Sequence, residues 1–535
     1  MQPFSLPVLL AIALGAEAPA DPFPAPAFRV ATLFTAQEMR AELRDASGRA
    51  RAIEWCRRHG IEHAFVESFR DGYEAEEATL AAVRDEFRAA GLLVSGCVTP
   101  TGLGKRSTGW KVVSCYTAPE TRAQLRGIFE RAAKLFERIM IDDFLFTDCQ
   151  CGDCKKAKGD ASWSEYRIRL MREVSEKDIL GPARAARPDV RIILKYPQWY
   201  DDFHNRGYDV TDQTALYPAI WVGTETRDPE NASWGRKAQY EAYFIMRWLG
   251  AIGGEKTGGG WFDPYGTSPV TYVEQARQTV LGGAREMLLF CHASLVEPRN
   301  ARCAEALIAE LPALRELAAR IRGRLPIGLA AAKPPNSQPA PGEEYFFDFA
   351  GMLGIPLLPC AQIPAAARAA LITSHAARDP ATLAWLRASP RRPVVLTAAA
   401  EKALPEDALA PRSRPVGRLA WSKDPREVMD IPREALDKLR NHLLEPFGLR
   451  LSAPGRVALY LFAPAGSDGG YAAIENFRDA PVEVTLSGLV EAAGEGAGRI
   501  VLPPGSAGEK ARLGPEGRLT LPARGLVGFP VARSP

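Results

Sequence analysis

The sequence predicts an α/β protein built on a (β/α)8 TIM barrel, and three observations carry that expectation. Eight short apolar runs recur along the first half of the chain, at 29–34, 62–68, 92–98, 138–144, 191–196, 219–224, 258–262 and 286–291. Most of them lead into a stretch with helical periodicity and its own start and stop signals. Thr117-Ala-Pro-Glu120 and Ser162-Trp-Ser-Glu165 read as capping boxes, and Gly60 and Gly91 stand where helices should end. The count and spacing suit a closed barrel of ~250 residues plus insertions, here residues 28–323.

Each later segment follows from a change of pattern. A Pro- and Ala-rich break at 333–342 sits among four more short strand candidates, at 327–332, 355–358, 370–373 and 394–397. With helical stretches between them, these predict a flavodoxin-like α/β domain over 326–410. A polar stretch, 411–455, reads as a linker. From 456 to 535, short alternating runs separated by Gly and Pro turns predict a small antiparallel β-domain.

Composition excludes several classes of partner. Apolar residues make up 46% and charged residues 24%, with a net charge of +3 and no long single-sign run. Nothing there calls for nucleic acid or an anionic membrane. Residues 4–16 form an apolar run ahead of Ala16-Glu17-Ala18 and Ala18-Pro19-Ala20, small-residue triplets of a cleavage site. Residues 1–20 are therefore expected to be a signal peptide and the protein secreted or periplasmic, although no Lys or Arg precedes the run. At that length it does not span a bilayer, which needs ~20 apolar residues, and no other stretch does.

Chemistry concentrates at residues 141–154, Ile-Asp-Asp-Phe-Leu-Phe-Thr-Asp-Cys-Gln-Cys-Gly-Asp-Cys. Asp142 and Asp143 end the fourth strand run, where barrel enzymes place acid–base groups. Because neighbouring strand residues face opposite ways, one of the two is expected to point into the barrel mouth. Cys149, Cys151 and Cys154 follow as C-x-C-x-x-C, too tightly spaced for unstrained bridges and suited to zinc. Cys115, after the third strand run, is the natural fourth ligand, with Cys97 as its alternative. Four thiolates leave no open position, so the zinc would be structural. Two more acids end strand runs: Glu225 in the sixth and Asp263 in the seventh, the latter in a Gly-rich, aromatic setting. Lys195, Tyr196 and Trp199 at the fifth strand, Arg227 beside Glu225, and Trp261 and Tyr265 around Asp263 are candidate substrate contacts. Flat rings stack on sugar C–H faces, and cations bond hydroxyls. The chain lacks an H-x-H on the first strand and a G-x-S-x-G elbow, which argues against a metal-dependent amidohydrolase and a serine hydrolase.

Cys115, then Asp142-Asp143, then Cys149, Cys151 and Cys154 resembles the glycoside hydrolase family 42 β-galactosidases. There a Cys after strand three joins a C-x-C-x-x-C after strand four on zinc, and a flavodoxin-like and a β-domain follow the barrel. The motif likeness covers residues 114–165. It implies Asp143 as proton donor, with Asp142 as an orienting partner, and Asp263 as the second carboxylate ahead of Glu225, because the family's nucleophile comes from strand seven. It also implies a trimer. The chain departs from the family in carrying Asp142-Asp143 where the family has Asn-Glu, so galactose specificity is not carried over. The expected function is cleavage of O-glycosidic bonds in oligo- or polysaccharides by two carboxylates, with no organic cofactor. A non-catalytic carbohydrate-binding barrel and a zinc-stabilised hydrolase of unrelated substrate are the alternatives.

Overall fold

A computed structural model describes residues 28–409, 416–464, 469–489, 499–505, 513–514 and 516–532. The expected signal peptide lies outside the described residues. Eight parallel strands form the barrel: β1 (Arg29–Phe34), β2 (His63–Arg70), β3 (Leu93–Val98), β4 (Arg138–Ile141), β5 (Arg191–Tyr196), β6 (Ala219–Gly223), β7 (Thr257–Phe262) and β8 (Glu286–Leu289). Each pairs with the next, and β1 pairs with both β2 and β8, which closes the sheet. β4 is shorter than the run 138–144 suggests: it stops at Ile141, and Asp142 already lies beyond the ladder.

Alternation along the strands builds the interior. Ala31, Leu33, Phe65, Cys97, Met140, Ile193, Trp221, Trp261 and Leu288 pack together inside the barrel. Their neighbours, such as Val66, Ile139, Leu194 and Val222, face the surrounding helices. Helix 163–174 starts at Ser162 with the expected capping box. Helix 119–135 differs: its N-cap is Ala118, with Pro119 in the first turn. The Thr117 hydroxyl is drawn instead to Tyr166 Oη at 2.6 Å and Cys154 Sγ at 3.0 Å.

Beyond the barrel, β9 (Leu329–Ala332), β10 (Leu357–Cys360), β11 (Ala370–Ile372), β12 (Val394–Thr397) and β13 (Gly417–Leu419) form a parallel sheet in the order β10-β9-β11-β12-β13. That is the 2-1-3-4-5 order of a flavodoxin-like sheet. β13 falls in 411–455, the stretch expected to be a linker, as does helix 433–444. The polarity of this stretch hides the amphipathic helix, which buries Leu436, Leu443 and Leu444. Two antiparallel sheets complete the molecule. One of them recruits Pro326–Ile327, ahead of the α/β domain, and the other recruits Arg450–Ser452. Among the described residues no helix is long and apolar enough to cross a membrane.

Candidate active site

At the C-terminal end of the barrel, Lys195 is the hub. Alternation along β5 turns Ile193 and Lys195 inward, and the Lys195 side chain is 1% exposed. Its ammonium lies 2.8 Å from Glu225 Oε1, 3.2 Å from Asp143 Oδ2 and 3.6 Å from Asp142 Oδ1. Both Asp142 and Asp143 thus reach the mouth, which strict alternation forbids. Because β4 has ended, the chain turns there, and the Asp143 amide donates to Asp142 Oδ1 at 2.8 Å.

The four acids have different surroundings. Asp142 also accepts from Arg70 at 2.8 Å and Thr99 at 3.1 Å. Burial pushes its carboxyl up, but Lys195 and Arg70 outweigh burial and hold it below the usual range. Asp143 has no guanidinium partner and keeps an 18% exposed side chain. Burial, opposed by Lys195 and reinforced by the anions Asp142 and Glu225, pushes it up to about 7. Glu225 is raised as well, chiefly by burial. Its Oε1 is held by Lys195, while its buried Oε2 has no hydrogen-bond partner. Asp263, by contrast, has both oxygens on Arg227, at 3.0 and 2.6 Å. Lys195 thus joins Glu225 to Asp143, while Arg227 holds Asp263.

The Arg227–Asp263 pair is itself fixed. Gln275 accepts from the Arg227 amide at 3.0 Å and donates to the Asp263 carbonyl at 3.0 Å. Arg227 sits at φ 57°, a left-handed conformation costly for a side-chain-bearing residue.

The expected substrate contacts separate on inspection. Tyr196 is corrected: since Lys195 faces in, Tyr196 faces out, fully buried among Phe203 and Tyr208, its hydroxyl donating to the Asp209 carbonyl at 3.1 Å. Trp261 is corrected too. It lies inside the barrel against Phe290, with the Lys195 ammonium 4.2 Å from its ring centroid, and so underlies the charged cluster instead of facing solvent. Arg227 is engaged by Asp263. Trp199 packs edge-on against Phe146 and Phe203, half-buried. Tyr265 stays at the rim, half-buried, its hydroxyl 2.6 Å from Ser294 Oγ.

Sequence reasoning missed Glu67, Arg70 and Thr99. The buried Glu67 carboxyl accepts from Arg70 Nε, at 2.8 Å to Oε2, from Thr99 Oγ1 and from the Ala36 amide. Arg70 in turn grips Asp142. The signal was present: Glu67 is an acid two residues beyond Phe65 in an apolar strand, so it shares the inward face.

Cys115, Cys149, Cys151 and Cys154 gather in the loops beside this mouth, all four sulfurs within 4.8 Å of one another. Cys115 stands 3.8 Å from Cys151 and 3.5 Å from Cys154, and Cys151 and Cys154 are 3.6 Å apart. A tetrahedron with ~2.3 Å zinc–sulfur bonds has ~3.8 Å edges, so the donor set and its spacing fit zinc. Cys97 is excluded from this group, since it points into the barrel core.

Fold and site together define a barrel with a carboxylate-lined mouth, the plan of a glycosidase catalytic domain. The chain belongs to the family described as probable glycosyl hydrolase, catalytic domain, which it matches over residues 24–306, just over half its length. It is 25% identical over 338 residues to an uncharacterized protein of Saccharolobus solfataricus. That match covers 57% of this chain and 56% of the relative, so the chain spans little more than half of the relative's length. Among solved structures it is similar to a GH42 β-galactosidase from G. stearothermophilus, at 12% identity and a TM-score of 0.61, covering 95% of this chain and 99% of that one. It is also similar to α-L-fucosidase isoenzyme 2 from Paenibacillus thiaminolyticus, at 11% identity and a TM-score of 0.67, covering 95% and 100%. At those identities the likeness is one of fold.

Proposed function

We propose that the protein hydrolyses O-glycosidic bonds, with Asp143 as proton donor and Glu225 as the second carboxylate. The observation that carries this reading is their shared grip on one buried ammonium. Oxygens at 3.2 and 2.8 Å from Lys195 Nζ lie at most about 6 Å apart, which suits the ~5–5.5 Å spacing of a retaining pair. In this scheme the protonated Asp143, open to solvent, delivers its proton to the leaving oxygen. The Glu225 carboxylate attacks the anomeric carbon as the leaving group departs, and Asp143 then activates the water that releases the sugar. Lys195 holds Oε1 of Glu225 and so orients its carboxylate. Asp142, anchored on Arg70, acts on Asp143 through the backbone amide and through its charge.

Zinc on Cys115, Cys149, Cys151 and Cys154 belongs to the same proposal. When bound it would cross-link the loops that follow β3 and β4 and brace Asp143 from behind, taking no part in bond cleavage. Export is also part of the proposal, supported by the apolar run at 4–16. Turnover of a panel of nitrophenyl glycosides tests the reading. The wild type is expected to release nitrophenol from at least one sugar, with Glu225→Gln slower by ~10³-fold or more. Sugar binding without turnover would leave the carbohydrate-binding barrel as the function, and unchanged rates in Glu225→Gln would remove that residue's role.

A further inference from the structure

The loop that follows β3 holds a tryptophan ring in solvent beside the candidate proton donor. Residues 99–118 leave the barrel where β3 ends, and Trp110 lies at the loop's outer turn, 47% exposed. The Val113 amide closes that turn on the Trp110 carbonyl at 3.1 Å, and the Cys115 amide closes the loop's base on the Lys105 carbonyl at 2.7 Å. A lone exposed ring is ordinary on a protein surface and says nothing by itself. Trp110 is set apart by how firmly its loop is held and by what its ring touches.

Asp148, next to the first thiolate of C-x-C-x-x-C, is the clamp. Its Oδ2 accepts from the Trp110 amide at 2.8 Å and its Oδ1 from Ser107 Oγ, which accepts in turn from the Gly109 amide at 3.0 Å. Gly109 is required for this approach, because an added Cβ would lie 2.5 Å from the Asp148 carboxylate. The Gln150 amide adds a bond to Thr108 Oγ1 at 2.8 Å. The indole itself rests against Phe144 and Phe146, at centroid distances of 5.7 and 6.1 Å. Phe146 is buried, whereas Phe144 is half-buried and follows Asp143 directly in the chain. Around the barrel β3, β4, β5 and β6 are successive neighbours. Trp110, Asp143, Lys195 and Glu225 therefore follow one another around the mouth, with Trp110 on the side of Asp143 away from Glu225.

We propose that Trp110 and Phe144 form the leaving-group subsite, an aromatic platform for the pyranose ring whose oxygen Asp143 protonates. The inference rests on the glycosidase reading. In that scheme the retained sugar lies against Glu225 and the departing one beyond the donor, where the two rings are. An indole whose loop is already held by backbone bonds loses little freedom when a sugar covers it, so most of the burial goes into affinity. A leaving sugar with an unbroken C–H face gains from this platform, and a leaving group without a ring gains nothing.

Steady-state kinetics separate the platform from the catalytic pair. The substrates are cellotetraose, xylotetraose, mannotetraose and galactotetraose, each set against the glycosyl fluoride of the same sugar, whose leaving group has no ring. Trp110→Ala should lose about tenfold in kcat/KM on the tetraose that is cleaved, relative to its loss on the matching fluoride. Trp110→Phe should recover most of that loss, and an unchanged thermal midpoint shows that both variants fold. The same tetraoses, added to Glu225→Gln, should move tryptophan emission to shorter wavelength as Trp110 is covered. That shift should vanish when Trp110→Phe is combined with Glu225→Gln. Equal losses on tetraose and fluoride, or none on either, overturn the platform and leave the hydrolase reading standing. An emission shift that depends on Trp110, with no glycoside turned over, keeps the sugar platform and removes the hydrolase reading. Neither shift nor turnover with any of these probes overturns both.

Discussion

The residue on which the chemistry turns is Asp143. Three influences set its proton affinity: burial and two neighbouring anions push it up, and the Lys195 ammonium pulls it down, leaving it at about 7. A donor must be protonated to act, so activity should fall as pH rises through about 7. On the acid side the rate should fall as Glu225, which must be ionised to attack, takes up its proton. Asp142→Asn removes one of the two anions beside Asp143 and lowers its pKa. The descending limb of kcat/KM against pH should therefore move to lower pH, by up to ~1 unit. An unshifted limb would mean that a different group controls it. Lys195 makes this arrangement hard to read from sequence, because a buried lysine can as readily end as one half of a simple ion pair. Its period-two position on β5 places it in the mouth, and only the closed barrel shows that three acids meet there.

Two elements position the pair. β6 ends in Gly223, where an added Cβ would lie 2.5 Å from Glu225 Oε2 and 2.8 Å from the Gln198 amide nitrogen. Gly223→Ala should therefore displace the Glu225 carboxylate, lowering kcat by ~10²-fold in steady-state assays while circular dichroism stays unchanged. The second element is the thiolate loop. Cys115→Ser removes one of four donors, so zinc measured by atomic emission should fall from one per chain to well below one. The thermal midpoint should drop by several degrees as the loops after β3 and β4 come apart. Elements like β1 and β5 were fully legible, because their apolar runs coincide with their hydrogen-bonded length. The end of β4 was not, since Phe144 and Leu145 prolong the apolar run past the point where the Asp142–Asp143 turn breaks the ladder. β13 was missed because a three-residue edge strand, Gly-Arg-Leu, carries too little periodicity to stand out. Cys149, Cys151 and Cys154 were visible at once because their spacing is local, whereas Cys115 is distant in sequence and had Cys97 as its alternative. The link from Glu67 to Asp142 through Arg70 was not, because it joins residues 75 positions apart.

Across the whole molecule, the barrel and the C-terminal sheets are joined by a buried ionic cluster. Arg277 binds Glu310 through two hydrogen bonds, donates to the Arg524 carbonyl at 2.7 Å and lies 3.5 Å from Glu475. Burial, opposed by Arg277, pushes Glu475 up to about 8, and Glu241, at the α/β domain, is raised to about 7. A carboxyl whose folded pKa exceeds its unfolded value binds more protons when folded, so stability declines as pH rises toward the folded pKa. The lowered histidines, His59, His63 and His204, act the opposite way only below about 6.5. Between pH 6.5 and 8.5 the thermal midpoint should therefore fall, and a rising midpoint would contradict the placement of these acids. The central claim, that Asp143 donates the proton for glycoside cleavage, is tested most directly by varying the leaving group in the Asp143→Asn variant. Glycosides of 2,4-dinitrophenol leave without proton assistance, whereas those of methylumbelliferone need more help. The account predicts a near wild-type kcat/KM for the first, since that constant reports the first bond cleavage, and a loss of ~10²–10⁴-fold in kcat/KM for the second. Equal losses on both substrates, or no loss on either, would contradict it.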